Sequence, residues 1–240
     1  MSAGLKNSSI RTYLYEIRAI YNTAVRVGVC EDKRPFTGLF LDLPVRKRRA
    51  KNVYLDADGV KSLQNLKGLT APQQLAVDLS LLQFYLAGLD LVDVYHIKPE
   101  QLNNGRLYVA RTKLGIKADS FDVAILPPAL EIMERYHNEK DGYYFPWRKG
   151  EVAYKTFRST HNNTLKRVQK NHGIALMPKG GNLTSKVMRH TFATLAKFKG
   201  TDVDIIRELM GHERNEIDTV YKDKYPEKVR DQAHLEIISI

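Results

Sequence analysis

Cysteine is almost missing from this chain of 240 residues: Cys30 stands alone. One thiol can close no intrachain disulfide and build no cysteine-based metal site, which fits a reducing cytosol. Long apolar runs are missing too. The most apolar stretch, Leu79 to Leu89, is eleven residues long and contains Gln83; it is too short to span a bilayer and reads as a buried helix. Lys6 and Arg11 interrupt any apolar run near the start, so no secretory signal is expected there. There is no glycine-rich P-loop, no histidine pair at metal-ligand spacing and no obvious acidic cluster for two metal ions. Neither a nucleotide cofactor nor a metal is therefore expected. Internal repeats and low-complexity tracts are absent as well.

Positive charge is plentiful. There are 38 Lys and Arg against 27 Asp and Glu, a formal net of +11. That balance favours an anionic partner, nucleic acid foremost. The excess is uneven. Residues 1–51 hold eleven basic and four acidic residues, a local net of +7, whereas the remaining 189 carry only +4. Charge gathered in the first fifth of a chain reads as a binding surface.

Ile10, Tyr13, Leu14, Ile17, Ile20, Tyr21 and Ala24 recur at spacings of three and four, predicting an amphipathic helix over 8–29 with Ser8 or Ser9 as its N-cap. Arg11, Arg18 and Arg26 fall on its other faces, where they are expected to be free for phosphates. Pro35, Gly38 and Pro44 break the pattern, and the run from Arg46 to Lys51 puts five basic residues in six. Such a run repels itself and is expected to be an extended linker in which Arg46, Lys47, Arg48, Arg49 and Lys51 track DNA. A new folded region starts near Val53. Asp56 caps a helix through Leu63 and Leu66, and Pro72 opens a longer one carrying Leu75, Leu79, Leu82 and Leu86, which Gly88 ends or bends. A short helix holds Leu91, Val94 and Ile97. Residues 106–111 and 120–126 are strand-like and form a hairpin that Pro127 and Pro128 end. Helices are expected at 129–136, 152–171, 184–199, 202–210 and 226–238. The fold class is mainly α with a small antiparallel β-sheet (α+β).

Residues 183–223 read LTSKVMRHTFATLAKFKGTDVDIIRELMGHERNEIDTVYKD. Arg189-His190 lies on a helix, Met210-Gly211-His212 forms a turn, and Tyr221 follows His212 by nine residues. These three ordered elements resemble the C-terminal signature of the tyrosine recombinase (phage integrase) family. YLAGLDLVDVYHIKP at 85–99 resembles the family's first arginine box, and residues 106–133 resemble its hairpin with the catalytic lysine, here Lys113. Residues 6–30 with Pro35-Phe36 resemble only the last part of a helical core-binding domain, whose front is not matched. The resemblance thus implies a partial helical core-binding (SAM-like) domain at 1–44, a basic linker at 45–53 and a catalytic domain at 54–240.

The resemblance also implies an activity, site-specific recombination through a 3′-phosphotyrosyl intermediate. Tyr221 is the implied nucleophile. A phenol with a pKa near 10 needs a base or a cationic setting before it can attack a phosphodiester. Arg189 would bind the non-bridging oxygens, Lys113 would protonate the departing 5′-oxygen, and His212 would bond the phosphate or manage the tyrosine proton. His190 and Asp93 read as supports of the fold, and Tyr225 stands at the wrong distance from His212 to compete. The implied partner is double-stranded DNA, held by a homotetramer in the cytoplasm, with residues 234–240 either a contact to a neighbouring protomer or a helix folding back on its own domain. No membrane and no small-molecule substrate are implied.

Two positions depart from the family pattern. Asp90 stands where the first arginine normally follows Gly88-Leu89, and a carboxylate there repels a phosphate. Arg111 or Arg106 on the hairpin could fill the gap. Lys186 stands where the first histidine of His-x-x-Arg would be, three residues before Arg189 and on the same helix face; it is kept as a site residue. Both departures motivate an alternative, a catalytically inactive DNA-binding protein on the same fold.

Overall fold

Helix α1 spans Asn7–Arg26, near the span its apolar stripe predicts, and the chain leaves it where Gly28 takes a φ of 77°. The computed structural model describes residues 4–43, 52–109, 120–147, 149–212 and 223–240, and the chain divides into two compact units, Met1–Ala50 and Lys51–Ile240. In the first unit Lys6 is the N-cap of α1, with no side-chain cap bond. Ser8 and Ser9 lie inside the first turn, because the Lys6 carbonyl already accepts from the amides of Ser9 and Ile10. No residue of α1 is fully buried. The expectation that Arg11 stands free is also corrected, while Arg18 remains exposed. Arg11 donates to the carbonyls of Phe40 and Leu43, each at 3.1 Å, and both guanidinium groups lie over the stacked rings of Tyr15 and Phe40. Flat, weakly hydrated cations settle on aromatic faces.

The second unit opens with α2 (Ala57–Gln64), capped by Asp56, whose Oδ1 accepts from the Gly59 amide at 2.8 Å. Helix α3 (Ala71–Tyr85) starts with Pro72 in its first turn and buries every residue from Ala76 to Tyr85. A helix apolar all round belongs at the centre of a domain. It packs against α5 (Pro127–Tyr136), α6 (Glu151–His172) and α7 (Ser185–Phe198). Of its buried polar members, Asp78 accepts from Gln74, Arg135 and Tyr136, each at 2.8 Å. The short α4 (Leu91–Tyr95) follows a turn in which Ala87 and Gly88 both take left-handed φ, 53° and 72°.

The sheet has three strands in the order β1 (Leu102–Asn103), β2 (Arg106–Val109) and β3 (Phe121–Ala124), all antiparallel. Strand β1 is absent from the sequence reading. Two residues are too few to show a period, and the Asn104-Gly105 turn that makes the pairing, with both φ positive, is its only mark. Pro127 and Pro128 do more than end the hairpin. They form the first turn of α5, where a missing N–H costs nothing.

Helix α8 (Val203–Leu209) is capped by Asp202, and α9 (Glu227–Ile238) closes the unit. In α9 His234 and Ile237 are fully buried. The helix packs on α7 and α8, and Lys199 Nζ donates to the carbonyl of Ser239 at 2.9 Å and to that of Glu236. Residues 234–240 thus place His234, Ile237 and Ile238 against their own domain, while Leu235 stays 42% exposed.

Candidate active site

Arg189 sits half-buried on α7, and its guanidinium is pinned by backbone from two directions. Nη1 donates to the Gly88 carbonyl at 2.7 Å and Nη2 to the Met210 carbonyl at 3.0 Å. Nη2 also faces His212 Nε2 at 3.0 Å. That bond needs an unprotonated Nε2, which places the imidazole proton on Nδ1. One side chain thus brings together the first box, the α7 helix and the Gly-His turn.

Small residues make this closeness possible. A Cβ on Gly88 would lie 3.2 Å from Arg189 Cα and 3.2 Å from Phe192 Cβ, so only glycine lets the turn lie on α7. A Cβ on Gly211 would fall 2.3 Å from the ring of Phe121, which fixes the turn before His212 beneath β3. Below them the buried Gln83 donates from Nε2 to the carbonyls of Leu89 (2.8 Å) and Ser185 (3.1 Å). Sequence reasoning missed this brace, although Gln83 was noted as a polar interruption of the apolar stretch.

The departures from the family pattern have places as well. Asp90 is half-buried and is the N-cap residue of α4, its carbonyl accepting from the amides of Asp93 and Val94. Its charge reaches two neighbours. Burial, with Lys186 and Arg189 adding, pushes the His190 imidazole below its ordinary range, and Asp90 opposes them. Burial, with Asp90 and Asp93 adding against Arg158, pushes the Tyr154 hydroxyl up to about 12. Lys186 is exposed one turn before Arg189. Asp93 is buried on α4.

Arg106 does not fill the place of the missing arginine. It is buried in an ion network, donating from Nε to Asp122 Oδ2 at 2.7 Å and from Nη1 and Nη2 to the carboxylate of Asp231 at 2.6 and 3.1 Å. A guanidinium gripped by two carboxylates costs several kcal/mol to strip. Tyr221, Lys113, Arg111 and the linker cations Arg46, Lys47, Arg48, Arg49 and Lys51 lie outside the described residues. Among the described residues, no cluster of three His, Cys, Asp or Glu could hold a metal ion, and no helix is long and apolar enough to cross a membrane.

The sequence model of the phage integrase family matches residues 54–228. The chain belongs to the phage integrase family. Solved structures agree on the fold. The Tn1549 transposon integrase in complex with circular intermediate DNA is 18% identical over 98% of this chain and 81% of that one, with a TM-score of 0.62. The same integrase with transposon right end DNA gives 18%, 99%, 81% and 0.61. The integrase of mycobacterium phage Brujita gives 18%, 98%, 72% and 0.52. No curated protein matches in sequence. As a member of this family the chain is a tyrosine-type site-specific recombinase, an enzyme that cuts and rejoins DNA.

Proposed function

We propose that this integrase cleaves DNA with Tyr221 as nucleophile and Arg189 as the anchor of the scissile phosphate. The phenolic oxygen gives up its proton to His212 or to water and attacks phosphorus, the bond to the 5′-oxygen breaks, and Lys113 gives that oxygen its proton. The 3′-phosphotyrosyl link keeps the bond energy, so a 5′-hydroxyl can reverse the step and rejoin a strand without ATP. Charge on the non-bridging oxygens is met by Arg189, with His212 beside it and Lys186 one turn away. The observation that carries this reading is the grip on Arg189 by Gly88 and Met210, because a guanidinium fixed by backbone needs no reorganisation when charge develops.

Duplex DNA is the partner, in line with the DNA complexes of the Tn1549 integrase, and the cytoplasm is the proposed place of action. Residues 1–44 serve as a partial core-binding domain, 45–53 as a DNA-tracking linker and 54–240 as the catalytic domain. Work on two duplexes needs four protomers, with residues 234–240 a candidate contact between them.

The half-buried Asp90 supports a second reading, a DNA-binding protein that does not cleave. Covalent trapping separates the two. Wild type and Tyr221→Phe are mixed with nicked duplexes from the ends of the encoding element, denatured and run on SDS gels. An adduct in wild type that vanishes in the variant is the expected result. Binding by wild type with no adduct would leave the non-cleaving reading standing.

A further inference from the structure

One buried ion network outside the Arg189 grip joins the β2–β3 hairpin, α8 and α9. Its hub is Asp122 on β3. Arg106 of β2 donates to its Oδ2, and Arg230 of α9 approaches from the other side, with Nη1 and Nη2 at 3.2 and 3.3 Å from Oδ1. Arg230 Nε donates to the Tyr225 carbonyl at 3.1 Å. Glu208 of α8 accepts from the Tyr225 amide at 3.0 Å and lies 3.9 Å from Arg230 Nε. These are interior charges: the side chains of Arg230, Glu208, Arg106 and Asp122 are 5%, 4%, 9% and 14% exposed.

The network costs more than an apolar substitute would, since desolvating four charges is expensive. Its placement gives that expense a use. Strand β3 holds both shoulders of the stretch 213–222. Phe121 roofs Gly211 just before it, and its neighbour Asp122 holds Arg230, which with Glu208 grips Tyr225 just after it. The same strand is one arm of the hairpin whose connection bears Lys113. Hairpin, His212 turn and α9 are thus tied to one point.

We propose that Asp122 and Arg230 are positioning residues that set the Tyr221 segment in register with the hairpin and the Arg189 grip. The proposal rests on Tyr221 being the nucleophile. Neither residue touches the phosphate in this role; they act by fixing where the two ends of the segment are held. A shift of about 1 Å at a reacting group is worth roughly 100-fold in rate, and arginine paired bidentately with a carboxylate resists such a shift better than lysine.

The test uses the full chain with a nicked duplex from the element's ends and the variants Asp122→Asn, Arg230→Met and Arg230→Lys. Three quantities are read: melting temperature, the DNA concentration giving half-maximal adduct, and the maximal adduct rate. Half-saturation within threefold of wild type, with the maximal rate down roughly 100-fold in Asp122→Asn and Arg230→Met and partly recovered in Arg230→Lys, is expected. A folded Asp122→Asn or Arg230→Met that keeps its rate within threefold overturns the proposal. So does a parallel loss of rate and DNA affinity, the mark of a merely structural role. If Asp122→Asn and Arg230→Met fail to melt cooperatively, Arg230→Lys decides by the same two criteria. No adduct from wild type would instead remove the Tyr221 reading, and the proposal with it, and is recognised because the unaltered chain fails.

Discussion

Gly88 shows how much of the site depends on an atom that is not there. Its φ of 72° and the 3.2 Å that a Cβ would leave to α7 backbone both disfavour any side chain there. Left-handed backbone costs an L-residue about 1–2 kcal/mol, and the crowding at Arg189 adds to it. Gly88→Ala is therefore expected to lower the melting temperature by several degrees. It also moves the carbonyl that fixes Arg189, so adduct formation should fall more than DNA affinity does. Equal losses in both would mean that the carbonyl grip is incidental. At this scale the sequence was half legible. Arg189 and His212 stood out by spacing, and the structure places them 3.0 Å apart. Their backbone partners could not be read, because a carbonyl acceptor has no letter of its own.

Elements were more legible than contacts. The helices follow their apolar periods, and α3 was evident as a buried helix from its run of leucines. What failed has a common cause: side chains with two possible uses. Arg11 could meet phosphate or backbone and took the carbonyls of Phe40 and Leu43; Arg106 could face the active site or carboxylates and took the carboxylates. Gln83 belongs to the same class. It is the brace between the end of α3 and the start of α7, with two buried carbonyls as acceptors. Gln83→Leu keeps the volume and leaves both acceptors without this donor, a loss of about 1–3 kcal/mol for each buried group stranded. Urea unfolding should show a lower midpoint at an unchanged slope. The adduct rate should fall with it, since the brace sets the turn that carries Gly88. An unchanged midpoint would show that the Leu89 and Ser185 carbonyls find other donors.

For the whole molecule, the sequence announced a net charge of +11 but not the interior ionisable groups that tie stability to pH. Burial pushes His161 and His234 down to about 4. In the unfolded chain each would titrate near 6.5, so between those two values the unfolded state binds more protons and stability falls with falling pH. The stabilising effect is fully present above about pH 6.5 and is lost as pH drops toward 4. At pH 5 each imidazole costs about 2 kcal/mol relative to neutral solution, enough together to lower the melting temperature by roughly 10 °C in a unit of this size. Asp122, held down against its burial by Arg230 and Arg106, has its window lower, where carboxylates begin to take protons. The two effects therefore separate along the pH axis. Melting curves of wild type and His161→Leu from about pH 8 to pH 5 make the check, and the variant should lose a large share of the slope, with His234 and His190 carrying the rest. A flat profile in wild type would mean that both rings become charged within the fold at no cost, and burial would then not govern them.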